Sequence, residues 1–173
     1  RPSAVVEGTV KVEKASVKVK VKNISQYADK PFSAEGFVTT NPADKFDIYT
    51  ISAGVTSNVT TIVYLNLPDR YQNETFLNML DPVVNKIFGK TFSQMMNEGM
   101  NLGELRKLLS TQELLDLLKK LNIDTGTFGQ ILTVINKLPA VTDNVTVAFG
   151  YPSRAGMYMV TAVTDNKNYN TGV

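Results

Sequence analysis

The first regular pattern in the chain is an alternation of valine with polar residues. In a first run the valines at positions 10 and 12 fall on one side of an extended chain, and in a second run those at 17, 19 and 21 do the same, with lysine, threonine, glutamate and serine on the other side. A period of two predicts β-strands with one apolar face. The short step Lys14-Ala15 between the two valine runs is compatible with a hairpin, or with the last strand of one unit followed directly by the first strand of the next.

Further strand patterns lie on either side of a helical segment. Dense β-branched and aromatic residues predict strands at 36–40, 46–51, 59–65, 140–149 and 157–164. Between about residues 73 and 138, apolar residues recur three and four apart, which predicts helices. Start signals at Asp81-Pro82, Thr91, Ser110 and Thr127 divide this segment into about four short helices.

The order of strands, helices and strands predicts an α+β fold. We expect one β domain made of residues 1–69 and 140–173, interrupted by a helical insertion at residues 70–139. Strand order is not readable from the sequence, so a β-sandwich and a β-grasp-like sheet both remain open.

The composition excludes several classes of chemistry. The 173 residues include no Cys, His or Trp, so a thiol nucleophile, a Ser-His-Asp triad or a His/Cys zinc site cannot be built from this chain. A net charge of +2 is too small to indicate binding to nucleic acid or to an anionic membrane. No apolar run has the length of a membrane helix. We expect no catalytic residue, no cofactor and no metal.

Carboxylates are the remaining candidates for catalysis. Their pairs have ordinary surface spacing, which favours a solvated face over a general acid and base. The pairs are Asp44 with Asp47 and Glu113 with Asp116. A calcium site at Asp165, Asn166 and Asn168 would lack the glycine and terminal Glu of a known calcium loop, so a turn is the preferred interpretation. The sequence predicts that the protein is not an enzyme.

Four Asn-x-Ser/Thr sequons are candidate glycosylation sites. They begin at Asn23, Asn58, Asn73 and Asn144. Because a chain rich in Asn, Ser and Thr contains some sequons by composition alone, they favour secretion only mildly.

Two stretches resemble the MBG-type repeats that occur in tandem in large surface adhesins. Near the end, Gly156-Met-Tyr-Met-Val-Thr-Ala162 followed by Asn168-Tyr169 is similar to the closing signature of the family. Near the start, the valine-rich strand after Lys14-Ala15 and then Gln26-Tyr-Ala-Asp-Lys-Pro-Phe32 are similar to its opening.

The resemblance implies an extracellular structural or adhesive module and carries over no catalytic residue. It implies an Ig-like antiparallel β-sandwich, here interrupted by about four short helices. Ala28 stands where the family usually has Gly, and the helical block has no counterpart in an ordinary repeat.

The resemblance also implies a displaced strand. In tandem repeats one more strand follows the closing Asn-Tyr and precedes the next Lys-Ala. Here the chain ends at Val173, and a strand of that kind precedes Lys14-Ala15 instead. It could fold back onto its own domain, belong to a longer array, or insert into a neighbouring subunit and build a head-to-tail filament. The residues expected in this donor strand are Val5, Gly8, Val10 and Val12.

The expected partners are therefore a second copy of the chain or adjacent repeats, with a surface glycan or protein as adhesion target. The alternative is a secreted carrier or partner-binding module, in which the apolar helical block holds a lipid or a partner. Flexible methionines in that block suit an adaptable surface. They are Met79, Met95, Met96 and Met100.

Overall fold

The computed structural model describes Gly8, Val10, residues 13–22 and residues 34–173. Within these residues the chain forms seven β-strands and five α-helices. The strands are β1 (Lys18–Val21), β2 (Val38–Asn41), β3 (Asp47–Thr56), β4 (Val59–Asn66), β5 (Met100–Asn101), β6 (Thr146–Phe149) and β7 (Tyr158–Asp165). The helices are α1 (Glu74–Phe88), α2 (Phe92–Glu98), α3 (Leu102–Leu109), α4 (Gln112–Lys120) and α5 (Thr125–Asn136). Val5, Val12, Asn23 and the passage at 23–31 lie outside the described residues.

Five strands form the central sheet, in the order β5-β6-β4-β3-β7. Neighbours are antiparallel except for β4 and β6, which run parallel. This pair departs from the expected antiparallel arrangement because all five helices lie between the two strands in the chain, and a parallel pair needs such a long crossover. Strands β1 and β2 form a separate two-stranded ribbon. The fold is therefore α+β with two sheets.

The helices cover one face of the central sheet. Alternate residues of β3, among them Tyr49 and Ile51, point to this face and share one apolar core with the helices. The core includes Val84 of α1, Leu102 of α3 and Ile135 of α5, each fully buried. Strand β5, which lies inside the helical segment, also pairs with β6. The helical segment is thus joined to the sheet by both packing and backbone pairing. No helix among the described residues is long and apolar enough to cross a membrane.

The ribbon covers part of the opposite face. Phe37 and Val38 pack with Ala162 of β7, and Val19 and Val160 lie against them. Because successive residues of a strand point to opposite faces, Ala162 and Val160 face the ribbon while their neighbours in β7 face the helices. From Ala162 to Asp165, strand β7 is therefore covered on both faces.

Two capping boxes fix helix starts. Thr91 forms the expected box with Gln94 at the start of α2. Asn101 forms a second one with Glu104 at the start of α3, where the pattern with Ser or Thr at the cap position predicts no helix start. In each box the side chains satisfy backbone N–H groups that have no partner within the helix.

Three expected helix starts are wrong. Asp81-Pro82 lies inside α1, which begins after the N-cap Asn73. Thr127 lies inside α5, whose N-cap is Asp124. Ser110 ends α3, and α4 begins one residue later than expected. Asn and Asp are better N-caps than Thr, which accounts for the start of α5 upstream of Thr127.

Two strand boundaries also differ from the expectation. Residues 140–145 are not in a strand, and β6 begins at Thr146. Strand β3 does not end at residue 51 but continues to Thr56, with a shift of register after Gly54. A Cβ at Gly54 would lie 3.3 Å from Ile62 Cγ2, so this glycine allows the close approach of β4.

Replacing Ile135 with Ala should lower the free energy of unfolding by about 2–5 kcal/mol, because the removed atoms leave a cavity between α5 and the sheet. Urea denaturation followed by circular dichroism would measure the loss. The matched control is Gln130→Ala on the exposed side of the same helix, which should change the value by less than about 0.5 kcal/mol. Equal losses in the two variants would contradict the placement of α5 against the sheet.

Candidate functional site

The candidate site is the outer edge of β7, the last strand of the sheet. On its inner side β7 pairs with β3 along its whole length. On its outer side Thr164 exchanges two backbone hydrogen bonds with Gly172, at 2.9 and 3.1 Å. Backbone groups alternate between the two sides of an antiparallel strand. The N–H and C=O groups of Tyr158, Val160 and Ala162 therefore face outward as well.

These outward groups form an open edge. Among the residues that the structure describes, Tyr158, Val160 and Ala162 have no backbone partner on this side. Residues 157–164 include no charge, and the side chains of Met157 and Met159 are 92% and 53% exposed. Natural edge strands are usually protected by lysine, proline, a bulge or short length. The opposite edge of the sheet, β5, is only two residues long. The β7 edge is thus the one suited to accept a further strand.

Gly172 pairs with Thr164, near the Asp165 end of this edge. A Cβ at residue 172 would lie inside van der Waals contact with Thr164 Oγ1 and 2.7 Å from methyl groups of Val17 and Val19. Contacts this short do not occur for real side chains, so the space beside Thr164 under the ribbon accepts glycine alone. The chain end is therefore seated between β7 and the start of β1.

Ala15 is held at the same end of β7. Its N–H donates to the carbonyl oxygen of Asn168 at 3.0 Å, and its carbonyl oxygen accepts from the N–H of Asn170 at 2.8 Å. Both partners belong to the turn that follows Asp165. Ala15 is therefore fixed at the Asp165 end of β7.

Two of the four expected donor-strand residues are described. Val10 is 88% exposed, and a Cβ at Gly8 would meet no atom within 4 Å. Val5 and Val12 lie outside the described residues. The valine side of this strand is thus exposed at Val10, where its apolar surface is available to another sheet.

The candidate glycosylation sites differ in their surroundings. Asn58 lies in the turn between β3 and β4, and Asn144 precedes β6, and both are exposed. Asn73 is exposed too, but its Oδ1 accepts from the N–H of Phe76 and its Nδ2 donates to the carbonyl oxygen of Arg70, each at 2.8 Å. A glycan on Asn73 would replace one of these capping hydrogen bonds. Asn23 lies outside the described residues.

The candidate catalytic carboxylates make their polar contacts with other side chains and not with one another. Each makes its polar contact with a different kind of side chain, which is the pattern of surface ion pairs and turn contacts. The contacts are Asp44 with Tyr169, Asp47 with Arg70, Glu113 with Lys86 and Asp116 with Gln112.

A polar cleft lies where β3, β7 and the connection from α4 to α5 meet. Asn166 and Asn168 form a turn there, in which Asn166 Oδ1 accepts from the N–H of Asn168 at 2.9 Å and its Nδ2 donates to the carbonyl oxygen of Lys45 at 2.7 Å. This geometry agrees with the turn interpretation of the segment. Among the described residues no cluster of three or more acidic, His or Cys residues could hold a metal ion.

Asp165 is the most buried carboxylate of this cleft, 9% exposed. Burial raises the pKa of its carboxyl, and the nearby carboxylates of Asp124 and Asp47 raise it further, while Arg70 and Lys14 partly offset them. Asp47 is paired with Arg70, and Lys14 lies 3.8 Å from Asp124. The two cations that act on Asp165, Arg70 and Lys14, are thus also paired with the other two carboxylates.

A small apolar cavity lies between the sheet and the helices. Its volume is about 60 Å³, and its lining includes Leu80, Leu105, Leu118 and Ile131. Sites for small molecules usually measure about 300–1,000 Å³. The cavity in this conformation is therefore too small for a lipid, which weakens the carrier alternative.

Comparison with known proteins finds no matching family model, no matching curated protein and no matching solved structure.

Replacing Gly172 with Ala should destabilise the fold by about 1–3 kcal/mol, the usual range for overpacking. The matched control is Gly129→Ala in α5, where a Cβ would meet no atom within 4 Å and helix propensity predicts a gain of about 0.5–1 kcal/mol. Thermal and urea unfolding of both variants would measure the difference. A neutral Gly172→Ala would contradict the seating of the chain end against Thr164.

Replacing Asp165 with Asn should stabilise the protein at pH 7. A carboxyl whose pKa is raised by folding binds its proton more tightly in the folded state, so stability falls as pH rises from the unfolded pKa to the folded one and stays lower above it. The gain from Asp165→Asn should therefore be present at pH 7 and vanish near pH 3, below the ordinary Asp pKa of about 3.9. Urea unfolding across this range would test it, with the exposed Asp116→Asn as control. A gain independent of pH would contradict the titration of Asp165 as its cause.

Proposed function

We propose that the chain is an extracellular structural and adhesive module that assembles head to tail by donating its N-terminal strand to a neighbouring subunit. The observation that carries this proposal is the open edge of β7. Its outward backbone groups offer a regular set of hydrogen-bond partners to an extended segment, and main-chain bonds of this kind supply affinity in strand addition. An exposed, uncharged strand edge is also a recurrent site of pairing between chains.

The N-terminal segment has the properties of the missing strand. Val10 and Val12 alternate with Thr9 and Lys11, so one face of the strand is apolar and the other stays solvated. Exposure of Val10 in the single chain leaves apolar surface that docking would bury. Lys11 discourages pairing between two donor strands, because like charges in neighbouring strands repel.

The Ig-like β-sandwich and its β-grasp-like alternative are also part of the proposal. Apolar contact between Phe37 and Val38 of the ribbon and Ala162 of the sheet supports a two-sheet, Ig-like sandwich. Helices on one face and the parallel pair β4–β6 support the β-grasp-like alternative for the central sheet. A strand added at β7 is compatible with both, because β7 is an edge strand in either description.

The extracellular and adhesive parts of the proposal are supported by the resemblance to repeats of surface adhesins. The exposed sequons at Asn58 and Asn144 are compatible with that location. The adhesion target would be a surface glycan or protein. We rank the carrier alternative below this function, since the cavity of about 60 Å³ leaves no room for an apolar ligand.

Deletion of residues 1–13 should convert filaments into monomers, because it removes the donor strand and leaves the Ala15 contacts with the turn intact. Electron microscopy and analytical ultracentrifugation at micromolar concentration would show the loss. The double variant Val10→Asp with Val12→Asp should act in the same way, since it places unpaired charges against the apolar face of the acceptor.

The matched control is Lys11→Ser, which changes the solvated side of the same strand and should leave assembly intact. Filaments that persist after the deletion would refute strand donation. Loss of filaments in Lys11→Ser would show that charge, not the valine face, drives assembly.

A further inference from the structure

Resting on the proposed function, we infer that the acceptor is the β7 edge at residues 158–162 and that residues 8–12 of a second copy occupy it antiparallel, directly after Gly172. The open part of the edge is the five residues 158–162, because Gly172 pairs with Thr164 and the next position, opposite Val163, is the one that Val173 reaches in the same register. The segment 8–12 has the same length. The pairs are Gly8 with Ala162, Thr9 with Thr161, Val10 with Val160, Lys11 with Met159 and Val12 with Tyr158.

Side-chain space supports this register. Gly172 fits beside Thr164 because Val17 and Val19 leave no room for a Cβ. The next position on the same face lies opposite Ala162, which is buried and packs with Val19. Val19, which excludes a Cβ at residue 172, thus also lies near this position, and the register places Gly8, which has no Cβ, there. A slip by one residue would turn the valines to the wrong face of the sheet.

The following positions suit the larger donor residues. Val10 lies opposite Val160, a half-buried residue of the same apolar cluster. Lys11 lies opposite Met159, whose side chain is 53% exposed, so its ammonium group remains in water. The alternation of the donor therefore matches the alternation of burial along β7.

The chain cannot place its own segment in this register. Ala15 is bonded to the turn after Asp165, and the three residue steps from Val12 to Ala15 span at most about 11 Å. Tyr158 lies about 24 Å from Asp165 along the strand, at about 3.4 Å per residue. Val12 of the same chain therefore cannot reach Tyr158, and antiparallel pairing requires a second copy. A parallel arrangement would be within reach of the same chain.

The head-to-tail direction of the assembly follows from this limited reach of Val12. With Val12 of the donor beside Tyr158 of the acceptor, the donor's body lies beyond the Tyr158 end of β7. The acceptor's own Ala15 leaves from the Asp165 end. Each copy thus donates its strand at the Asp165 end of β7 and accepts a strand at the Tyr158 end. A head-to-tail contact that does not close produces a filament.

Cysteine cross-linking tests the register, because the chain contains no Cys. Thr164 and Gly172 form a hydrogen-bonded pair, so the site opposite Met159 is a non-hydrogen-bonded one with Cα atoms about 4.5 Å apart, within the range for a disulfide. An isotope-labelled Lys11→Cys chain mixed with an unlabelled Met159→Cys chain should form a mixed disulfide dimer in a buffer of reduced and oxidised glutathione. Its intact mass should equal the sum of one labelled and one unlabelled chain, which separates it from either homodimer.

The control mixture is Thr9→Cys with Met159→Cys. These positions are adjacent in a parallel arrangement but diagonal in the antiparallel one, about 7–8 Å apart, so no mixed dimer should form. A mixed dimer in the control alone would overturn the inferred direction. Absence of dimer in both mixtures, with filaments that still vanish when residues 1–13 are deleted, would overturn the acceptor edge and leave the proposed function standing. Filaments that survive the deletion would overturn both.

Discussion

The requirement that backbone hydrogen-bonding groups find partners at β7 is the constraint on which the rest of the molecule depends. Strand β7 satisfies one side through β3 and begins to satisfy the other through Gly172. Beyond that position the described part of the chain supplies no strand. From Ala162 to Asp165 both faces of β7 are covered, by helices on one side and by the ribbon on the other. The edge is therefore the part of this strand that remains open to a partner.

The helical block explains why the edge can be open without loss of the fold. The buried residues of all five helices and of strands β3, β4, β6 and β7 belong to one core, so the sheet does not depend on a further strand for burial of its apolar face. A single exposed edge on such a sheet leaves few backbone groups to water, at modest cost because water satisfies them. In the proposed assembly the acceptor edge is thus formed before a donor strand arrives, and little ordering of the acceptor is needed on binding.

The sequence predicts the helices and strands better than it predicts how they pair and pack. Apolar spacing of three and four locates the helices between residues 73 and 138, and the structure confirms them. This spacing does not show that Asp81 accepts a hydrogen bond from Ser93 at the N-terminus of α2 or that Pro82 lies inside α1. Both features depend on tertiary contacts. The parallel pair β4–β6 and the meeting of Asp47, Asp124 and Asp165 likewise depend on strand order. The fit of Gly172 is visible only from its neighbours in space.

The difference between a filament and a closed dimer rests on where the donor segment is attached. Two β7 edges pairing with each other would bury the same surface twice around a twofold axis and end growth at two copies. A donor strand is a different surface from the acceptor, so pairing uses one of each and leaves one of each free. Ala15 fixes the donor to the Asp165 end, too far from Tyr158 for the chain to fill its own edge antiparallel. In the proposed assembly, the hydrogen bonds of Ala15 and the position of Gly172 beside Thr164 thus favour a growing filament over a closed dimer.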